Sequence, residues 1–322
     1  MITQPIVILH TDAPCTVQSV VSKSHPDLTL HTCHSYAALP EMIAQTRAEV
    51  IYSVRFAGTP GFPRDAILSS NSVKWVSVGG SGTDHLAQWD ASRLVVTNAA
   101  GVAADMMAEY ALGMTLAFSL NLGEFARAQA EQRWIAGRVT PIAGQTVLIL
   151  GLGHTGEAAA HRFKAMGMTV LGLRARPQPN SFTDEVHGLD ALASLLPRAD
   201  FILCCVPLLD STRALLDAAA FAAMKPNAVL IDVSRGGVVE QSAMIRALTT
   251  DRIRGAALDV FAVEPLAPDN PLWRMPNVII TPHCSSVFEG WELKSAGMFA
   301  ENLARYRRGA ALHNIVDPTR GY

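Results

Sequence analysis

Residues 146–156, TVLILGLGHTG, constrain this chain more than any other stretch. An apolar run of strand length breaks at glycines spaced G-x-G-x-x-G and continues into a helix-forming segment. Alone, that spacing is a weak signal; the strand before it and the helix after it give it meaning. The three glycines, Gly151, Gly153 and Gly156, permit a tight turn, close approach of a pyrophosphate and tight helix packing, while the helix N-terminus attracts phosphate. The segment therefore predicts a dinucleotide site on Gly151, Leu152, Gly153, His154, Thr155 and Gly156.

The surrounding pattern supplies a sheet for such a turn. After it come a helix to Met166, a strand TVLGLR ending at Arg174, and the strands FILCCVP, AVLIDVS, GAALDV and NVIITPH, with helices predicted over residues 213–224 and 241–249. This is the grammar of a doubly wound nucleotide-binding sheet. The first third of the chain alternates in the same way, through IVILH, LTLHTC, EVIYSV, VKWVSV and LVVTN, with helices near residues 16–23, 36–48 and 63–69. A chain of 322 residues exceeds what one core usually serves, so the expected fold class is α/β with two Rossmann-like, parallel-sheet domains and a cleft between them. One long helix is predicted from residue 103 to about residue 134. Its middle is apolar on most sides, which calls for burial between domains or against a second subunit. A final helix over residues 289–308 precedes the tail LHNIVDPTRGY, expected to return to the N-terminal domain.

Composition excludes several classes. Lys plus Arg number 26 against 28 Asp plus Glu, a net charge of -2, so no whole-chain field recruits nucleic acid or an anionic membrane. The densest basic run, RYRR at residues 305–308, reads as a solvated helix end. ITQPIVILH lacks the basic start and cleavage site of a secretory signal and reads as a first strand. Residues 110–122, the most apolar helical stretch, fall short of the ~20 residues that span a bilayer. A cytoplasmic protein is expected, without membrane or nucleic-acid partners. Cys15, Cys33, Cys204, Cys205 and Cys284 form no CxxC pair and are odd in number, which argues against a disulfide framework and a structural zinc. His25, His31 and His34 fall close together, and His10 and His85 lie near other strand ends, but no recognisable ligand set results and no metal is expected.

The end of the strand TVLGLR is where an Asp or Glu would bond the ribose hydroxyls of NAD. Here it reads LRAR: Arg174 stands eighteen positions after Gly156 and Arg176 follows, so a 2'-phosphate would meet two cations. NADP(H) is the expected cofactor and NAD(H) the second candidate; the bland alternative is that both arginines face solvent. Downstream, Arg235 in VSRGGVV, Glu264 in DVFAVEP and His283 in ITPH stand in three segments. An Arg fork can grip a carboxylate and polarise a carbonyl, a His can pass a proton, and a carboxylate can hold that His charged. Taken singly, Arg235 could equally serve a salt bridge, Glu264 a turn cap, and His283 could be one satisfied histidine among ten.

Taken in order, VGGSGTDHL, VTNAAGVAADMMAEYAL, GLGHTGEAAA, CVPLLDSTRALLD, AVLIDVSRGGVVE, AALDVFAVEPL, NVIITPHCSS and HNIVD resemble the NAD(P)-dependent D-2-hydroxyacid dehydrogenases, particularly their glyoxylate and hydroxypyruvate reductase branch, over nearly the whole chain. The resemblance implies a flavodoxin-like substrate domain, residues 1–102 and 289–322, and a doubly wound cofactor domain, residues 103–288. It also implies a homodimer through the cofactor domain and reduction of a small 2-keto acid, glyoxylate, hydroxypyruvate or similar, to a D-2-hydroxy acid.

Carried to single residues, Arg235 would hold the substrate carboxylate or keto oxygen, His283 would donate the proton, and Glu264 would bond the imidazole. Val206, Pro207 and Thr212 would lie on the adenosine side, Val233 and Ser234 by the nicotinamide ribose, and Asp259 at the carboxamide. Ser285 and Ser286 would close the nicotinamide end. Val78, Gly79 and Gly80 would offer backbone N–H groups to the substrate carboxylate, Arg55 and Phe56 would shape the pocket mouth, and Trp134 lies where some reductases of this branch reach toward a partner's site.

Ser234 stands where Ala is frequent, and HCSS replaces the usual small-residue run; neither change removes a catalytic group. Two rivals share the fold. One is a dehydrogenase of another substrate such as phosphite; formate is disfavoured because that branch pairs its His with Gln. The other is a dinucleotide-sensing, corepressor-like binding protein, whose appended tails this sequence does not show.

Overall fold

Val7–His10, Val50–Ser53 and Trp75–Val78 are strands buried at every residue, the pattern of a parallel sheet covered by helices on both faces. The computed structural model describes residues 4–56 and 59–318. The chain divides into two units: residues up to Val102 joined by those from Glu289 onward, and Ala103–Phe288.

The described part of the first unit runs β1 (Val7–His10), α1 (Pro14–Ser24), β2 (Leu30–Cys33), α2 (Leu39–Thr46), β3 (Val50–Ser53), α3 (Arg64–Ser69), β4 (Trp75–Val78) and β5 (Val95–Asn98). Its strands are parallel in the order β2-β1-β3-β4-β5, which is flavodoxin-like. Alternation along each strand sends Ile8, Ile51, Val76 and Val96 to one face, against Leu39, Ile43 and Ile67 of α2 and α3. Val7, Leu9, Val50, Tyr52 and Trp75 go to the other, against Val17 and Val21 of α1.

The second unit begins with α4 (Ala104–Ser119) and α5 (Leu122–Ala130). It continues through β6 (Thr146–Leu150), α6 (His154–Ala165), β7 (Thr169–Leu173), β8 (Glu185–His187), α7 (Leu192–Leu195), β9 (Phe201–Cys204), α8 (Ala218–Ala223), β10 (Val229–Asp232), α9 (Gln241–Thr249), β11 (Gly255–Leu258) and β12 (Val278–Ile280). The parallel order is β12-β11-β10-β9-β6-β7-β8, so the direction of winding reverses between β6 and β9. The glycine turn follows β6 at that reversal, where doubly wound sheets take their ligands.

Besides the one-turn α7, which was not expected, three elements differ from the sequence expectation. The single long helix is two, because Asn121 adopts a left-handed φ of 54° between them. Arg254 holds that break by donating to Phe118 O at the end of α4 and to Asn121 Oδ1 at 2.6 Å. Asn tolerates this conformation and apolar periodicity does not register it. Trp134 therefore lies beyond the helices and is fully exposed. The helix expected over residues 213–224 shrinks to α8, whose start is fixed by Asp217 accepting from Ala220 N at 2.9 Å. β8 was not expected: it is a short, half-buried edge strand, EVH, without an apolar run.

The last helix, α10 (Trp291–Arg307), returns to the first unit, where Phe299 and Leu303 pack on the same face as α1. The tail follows it: Asn314 O accepts from Asn98 N at 3.1 Å and Val316 N donates to Val96 O at 2.9 Å. The RYRR run is not simply solvated. Arg307 is buried, ion-pairs with Asp27 and meets His25 Nδ1 at 3.2 Å, while His25 Nε2 contacts Ala300 O at 2.8 Å.

Candidate active site

The glycine turn has the steric form its sequence implies. Gly151 sits at φ +104°, and a Cβ there would press on Cys205 O at 3.1 Å and Val206 at 3.0 Å, in the segment after β9. A Cβ on Gly156 would lie 1.9 Å from Gly151 O, so turn and helix share backbone contact that only glycine allows. A Cβ on Gly153 would meet nothing within 4 Å. That open ground before the first turn of α6, which begins at His154 and Thr155, fits the pyrophosphate of a dinucleotide. Leu152 is buried, and Gly172 of β7 has no room for a side chain beside it, so Leu152 meets a ligand only through its backbone.

Arg174 follows β7. Its N–H donates to His187 O at 3.0 Å, and Leu173 O beside it accepts from Gly151 N at 2.9 Å, so strand end and glycine turn are fastened together. The Arg174 guanidinium lies 3.5 Å from Glu157 Oε1. Arg176 is exposed. Val206 and Val233 are buried, and Pro207 is exposed. Thr212 is buried, with its hydroxyl donating to Pro207 O at 2.6 Å and accepting from Leu209 N at 2.8 Å. Ser234 is likewise occupied, donating to Asp232 Oδ1 through N at 3.0 Å and Oγ at 2.5 Å. Burial pushes the Asp232 carboxyl up to about 7, against the pull of those Ser234 hydrogen bonds.

Three neighbouring strands deliver the catalytic candidates. β10, β11 and β12 are in register through Asp232↔Leu258 and Leu258↔Ile280, so the segments holding Arg235, Glu264 and His283 leave the same sheet edge. The structure joins two of them directly: His283 Nδ1 lies 2.8 Å from Glu264 Oε2, both side chains about one-third exposed at 37% and 35%. Glu264 is itself aimed, because its Oε1 accepts from Phe261 N at 2.9 Å. Arg235 donates to Ser234 O at 2.7 Å.

Gly236, not singled out in the sequence, couples these segments: a Cβ there would fall 1.9 Å from Phe261 O. The Arg235 loop therefore lies against the turn that ends in Glu264. The first glycine of SRGG was the available signal.

Asp259 has a structural task that sequence reasoning missed. Completely buried, it accepts from Thr281 Oγ1 at 2.6 Å and Cys284 N at 2.9 Å through Oδ1, and from Ser285 N at 3.0 Å through Oδ2. These bonds bracket His283, whose φ of +53° is unfavourable for a side chain that size. Tyr110 OH extends the network to Thr281 Oγ1 at 2.8 Å. Ser285 is buried and Ser286 half-buried.

In the first unit one expectation needs correction. Gly79 does not offer its N–H to a ligand, because strand pairing already uses it on Ser53 O at 2.9 Å. Val78 is the last residue of β4, which leaves Gly80 as the open position, with nothing within 4 Å of its Cβ direction. Gly79 is sterically required, since a Cβ would lie 2.7 Å from Tyr52 OH. Phe56 is buried and stacks on Tyr36 at 4.5 Å, whose hydroxyl accepts from Phe56 N at 2.6 Å; Arg55 beside it is exposed.

Residues 112–285 match the family model described as D-isomer specific 2-hydroxyacid dehydrogenase, NAD binding domain. A D-3-phosphoglycerate dehydrogenase of Methanocaldococcus jannaschii is 32% identical over 259 residues, 79% of this chain and 49% of that protein, so the chain spans about half the length of that relative. A glyoxylate reductase of Korarchaeum cryptofilum is 33% identical over 246 residues, 73% of this chain and 74% of that protein. Among solved structures, a D-isomer specific 2-hydroxyacid dehydrogenase of Xanthobacter autotrophicus in complex with NADPH and MES is 30% identical at a TM-score of 0.83, covering 99% of this chain and 100% of that one. An NADPH-dependent glyoxylate/hydroxypyruvate reductase of Sinorhizobium meliloti, in complex with NADP and sulfate, is 25% identical at a TM-score of 0.84, with the same coverage of 99% and 100%. Matched over the stretch that holds its glycine turn, Arg235, Glu264 and His283, the chain belongs to the D-isomer specific 2-hydroxyacid dehydrogenase family of NAD(P)-dependent oxidoreductases.

Proposed function

We propose that this protein reduces small 2-keto acids, glyoxylate and hydroxypyruvate first among them, to D-2-hydroxy acids, with NADPH preferred over NADH. The observation that carries the reading is the His283–Glu264 pair at 2.8 Å. With Nδ1 turned to a carboxylate, that nitrogen carries the ring's fixed proton. Nε2 makes no hydrogen bond among the described residues, and in this reading it hands a proton to the carbonyl oxygen. Arg235 grips the substrate carboxylate or keto oxygen and stabilises the negative charge that grows there. Glu264 orients the ring, and Asp259 holds its loop. A reduced nicotinamide, when bound, supplies the hydride to the carbonyl carbon.

In this reading the unit Ala103–Phe288 takes the cofactor and the other unit supplies substrate contacts from Gly80 and Arg55. Arg174 and Arg176 support NADPH, as do the complexes with NADPH and NADP solved for the two relatives. Exposed Leu120, Leu122, Trp134 and Val139 support a homodimer through the second unit. Five free cysteines accord with a cytoplasmic setting.

The test is a spectrophotometric assay of NADPH and NADH loss with glyoxylate, hydroxypyruvate and bulkier 2-keto acids. Turnover of the small acids with higher kcat/KM for NADPH is expected. Cofactor binding without turnover on any acid would overturn the enzymatic reading in favour of sensing, and higher kcat/KM with NADH would overturn the cofactor preference.

A further inference from the structure

We infer that Glu157 opposes Arg174 in choosing the cofactor: the arginine favours the phosphorylated adenosine ribose of NADPH, and the carboxylate favours the free hydroxyl of NADH. This deepens the proposed function and rests on its placing of a dinucleotide at the glycine turn.

In NAD sites of this fold a carboxylate at the end of the second strand accepts from the ribose hydroxyls. That strand end carries Arg174 here, but the carboxylate has not left the neighbourhood. Glu157 in the first turn of α6 brings Oε1 to 3.5 Å from Arg174 Nη1. Both positions are fixed by backbone. Glu157 N donates to Gly153 O at 2.9 Å, and Arg174 N donates to His187 O at 3.0 Å, while Leu173 O accepts from Gly151 N. The pair thus stands where the glycine turn meets the second strand, with Glu157 in α6 and Arg174 directly after β7.

The pair itself is loose. At 3.5 Å with side chains 31% and 44% exposed, it lies at the weak end of surface ion pairs, so a ligand can replace it at little cost. A 2'-phosphate can exchange Glu157 for itself on the guanidinium, yet it stays close to a negative carboxylate. A 2'-hydroxyl meets no such repulsion and can donate to the carboxylate instead. Arg176, exposed on the same segment, adds positive charge without a carboxylate partner among the described residues. The outcome is a site whose preference for NADPH is held below what its two arginines would give alone.

Equilibrium titration of NADPH and NADH, read by nucleotide fluorescence without substrate, tests this in wild type, Glu157→Gln, Glu157→Ala and Arg174→Gln. Removing the carboxylate should raise the ratio of NADPH to NADH affinity about five- to tenfold, the effect of one nearby charge at a partly solvated site. Arg174→Gln should lower that ratio. The combined Glu157→Gln/Arg174→Gln protein should show non-additive shifts, because the two groups act on the same ligand atoms. Tight binding of both nucleotides with a ratio unmoved by either Glu157 substitution would overturn this inference alone. Failure of wild type to bind either nucleotide would overturn it together with the reading beneath it.

Discussion

His283 can act only if its ring is held, and the structure spends several polar groups on holding it. Glu264 takes Nδ1, Phe261 N–H fixes Glu264, and Asp259 holds both flanks of an unfavourable φ, through the Thr281 hydroxyl before it and the Cys284 and Ser285 N–H groups after it. Glutamine at position 264 could still accept from Nδ1 but would bring no charge to balance an imidazolium. Glu264→Gln should therefore lower kcat/KM about ten- to a hundredfold, with NADPH affinity unchanged; steady-state kinetics beside nucleotide titration check this, and unaltered kcat/KM would remove Glu264 from the mechanism. Arg235, Glu264 and His283 were legible as candidates only through the family-like segments around them, since each side chain alone has an ordinary structural use. Backbone donors could not be allotted in that way. Whether Gly79 N–H is available depends on the register of β3 against β4, and that register assigns it to Ser53 O. The task of Asp259 was hidden for a similar reason, since only the pairing of β11 with β12 brings the His283 segment to its carboxylate.

The glycine turn and its helix separate two demands that one motif combines. Gly156 answers to packing: an alanine Cβ would strike Gly151 O at 1.9 Å, so Gly156→Ala should cost roughly 3 kcal/mol or more and lower Tm, and the displaced turn should bind NADPH weakly. Gly153 meets no such packing demand, since its Cβ direction is open, and in the proposed reading it faces the dinucleotide. Gly153→Ala should leave stability within about 0.5 kcal/mol of wild type and still weaken NADPH. Thermal melts and nucleotide titration on both variants check the contrast; equal Tm values for the two would refute it. Elements with a clear apolar period, such as β6, β10 and α9, were legible in the sequence. The division of α4 from α5 was not, because it depends on one left-handed Asn and a distant arginine, Arg254, that periodicity cannot register. β8 escaped because a half-buried edge strand of three residues with one apolar side chain carries no hydrophobic signature.

For the molecule as a whole, two buried groups set opposing dependences of stability on pH. Burial lowers His10, which meets Ser53 Oγ at 2.9 Å, from 6.5 to about 4. Between those values the unfolded chain binds the proton and the folded one does not, so this group makes stability fall as pH drops from 6.5 toward 4. Asp232 is raised from 3.8 to about 7, so the folded state holds its proton longer and this group makes stability fall as pH climbs across that interval. Each contributes at most roughly 3 to 4.5 kcal/mol, and in wild type they largely offset. His10→Gln should therefore be relatively more stable at pH 5 than at pH 7, and Asp232→Asn the reverse, as judged by urea unfolding; the same sign in both variants would contradict the assignment. These effects concern folding, whereas the claim that organises the molecule is chemical: the imidazole at the edge of the second sheet delivers the proton. Single-turnover loss of NADPH on mixing with glyoxylate, compared between wild type and His283→Ala, tests it most directly. A fall of at least about a hundredfold in rate with NADPH affinity preserved is expected, whereas turnover near the wild-type rate in the alanine protein would contradict it.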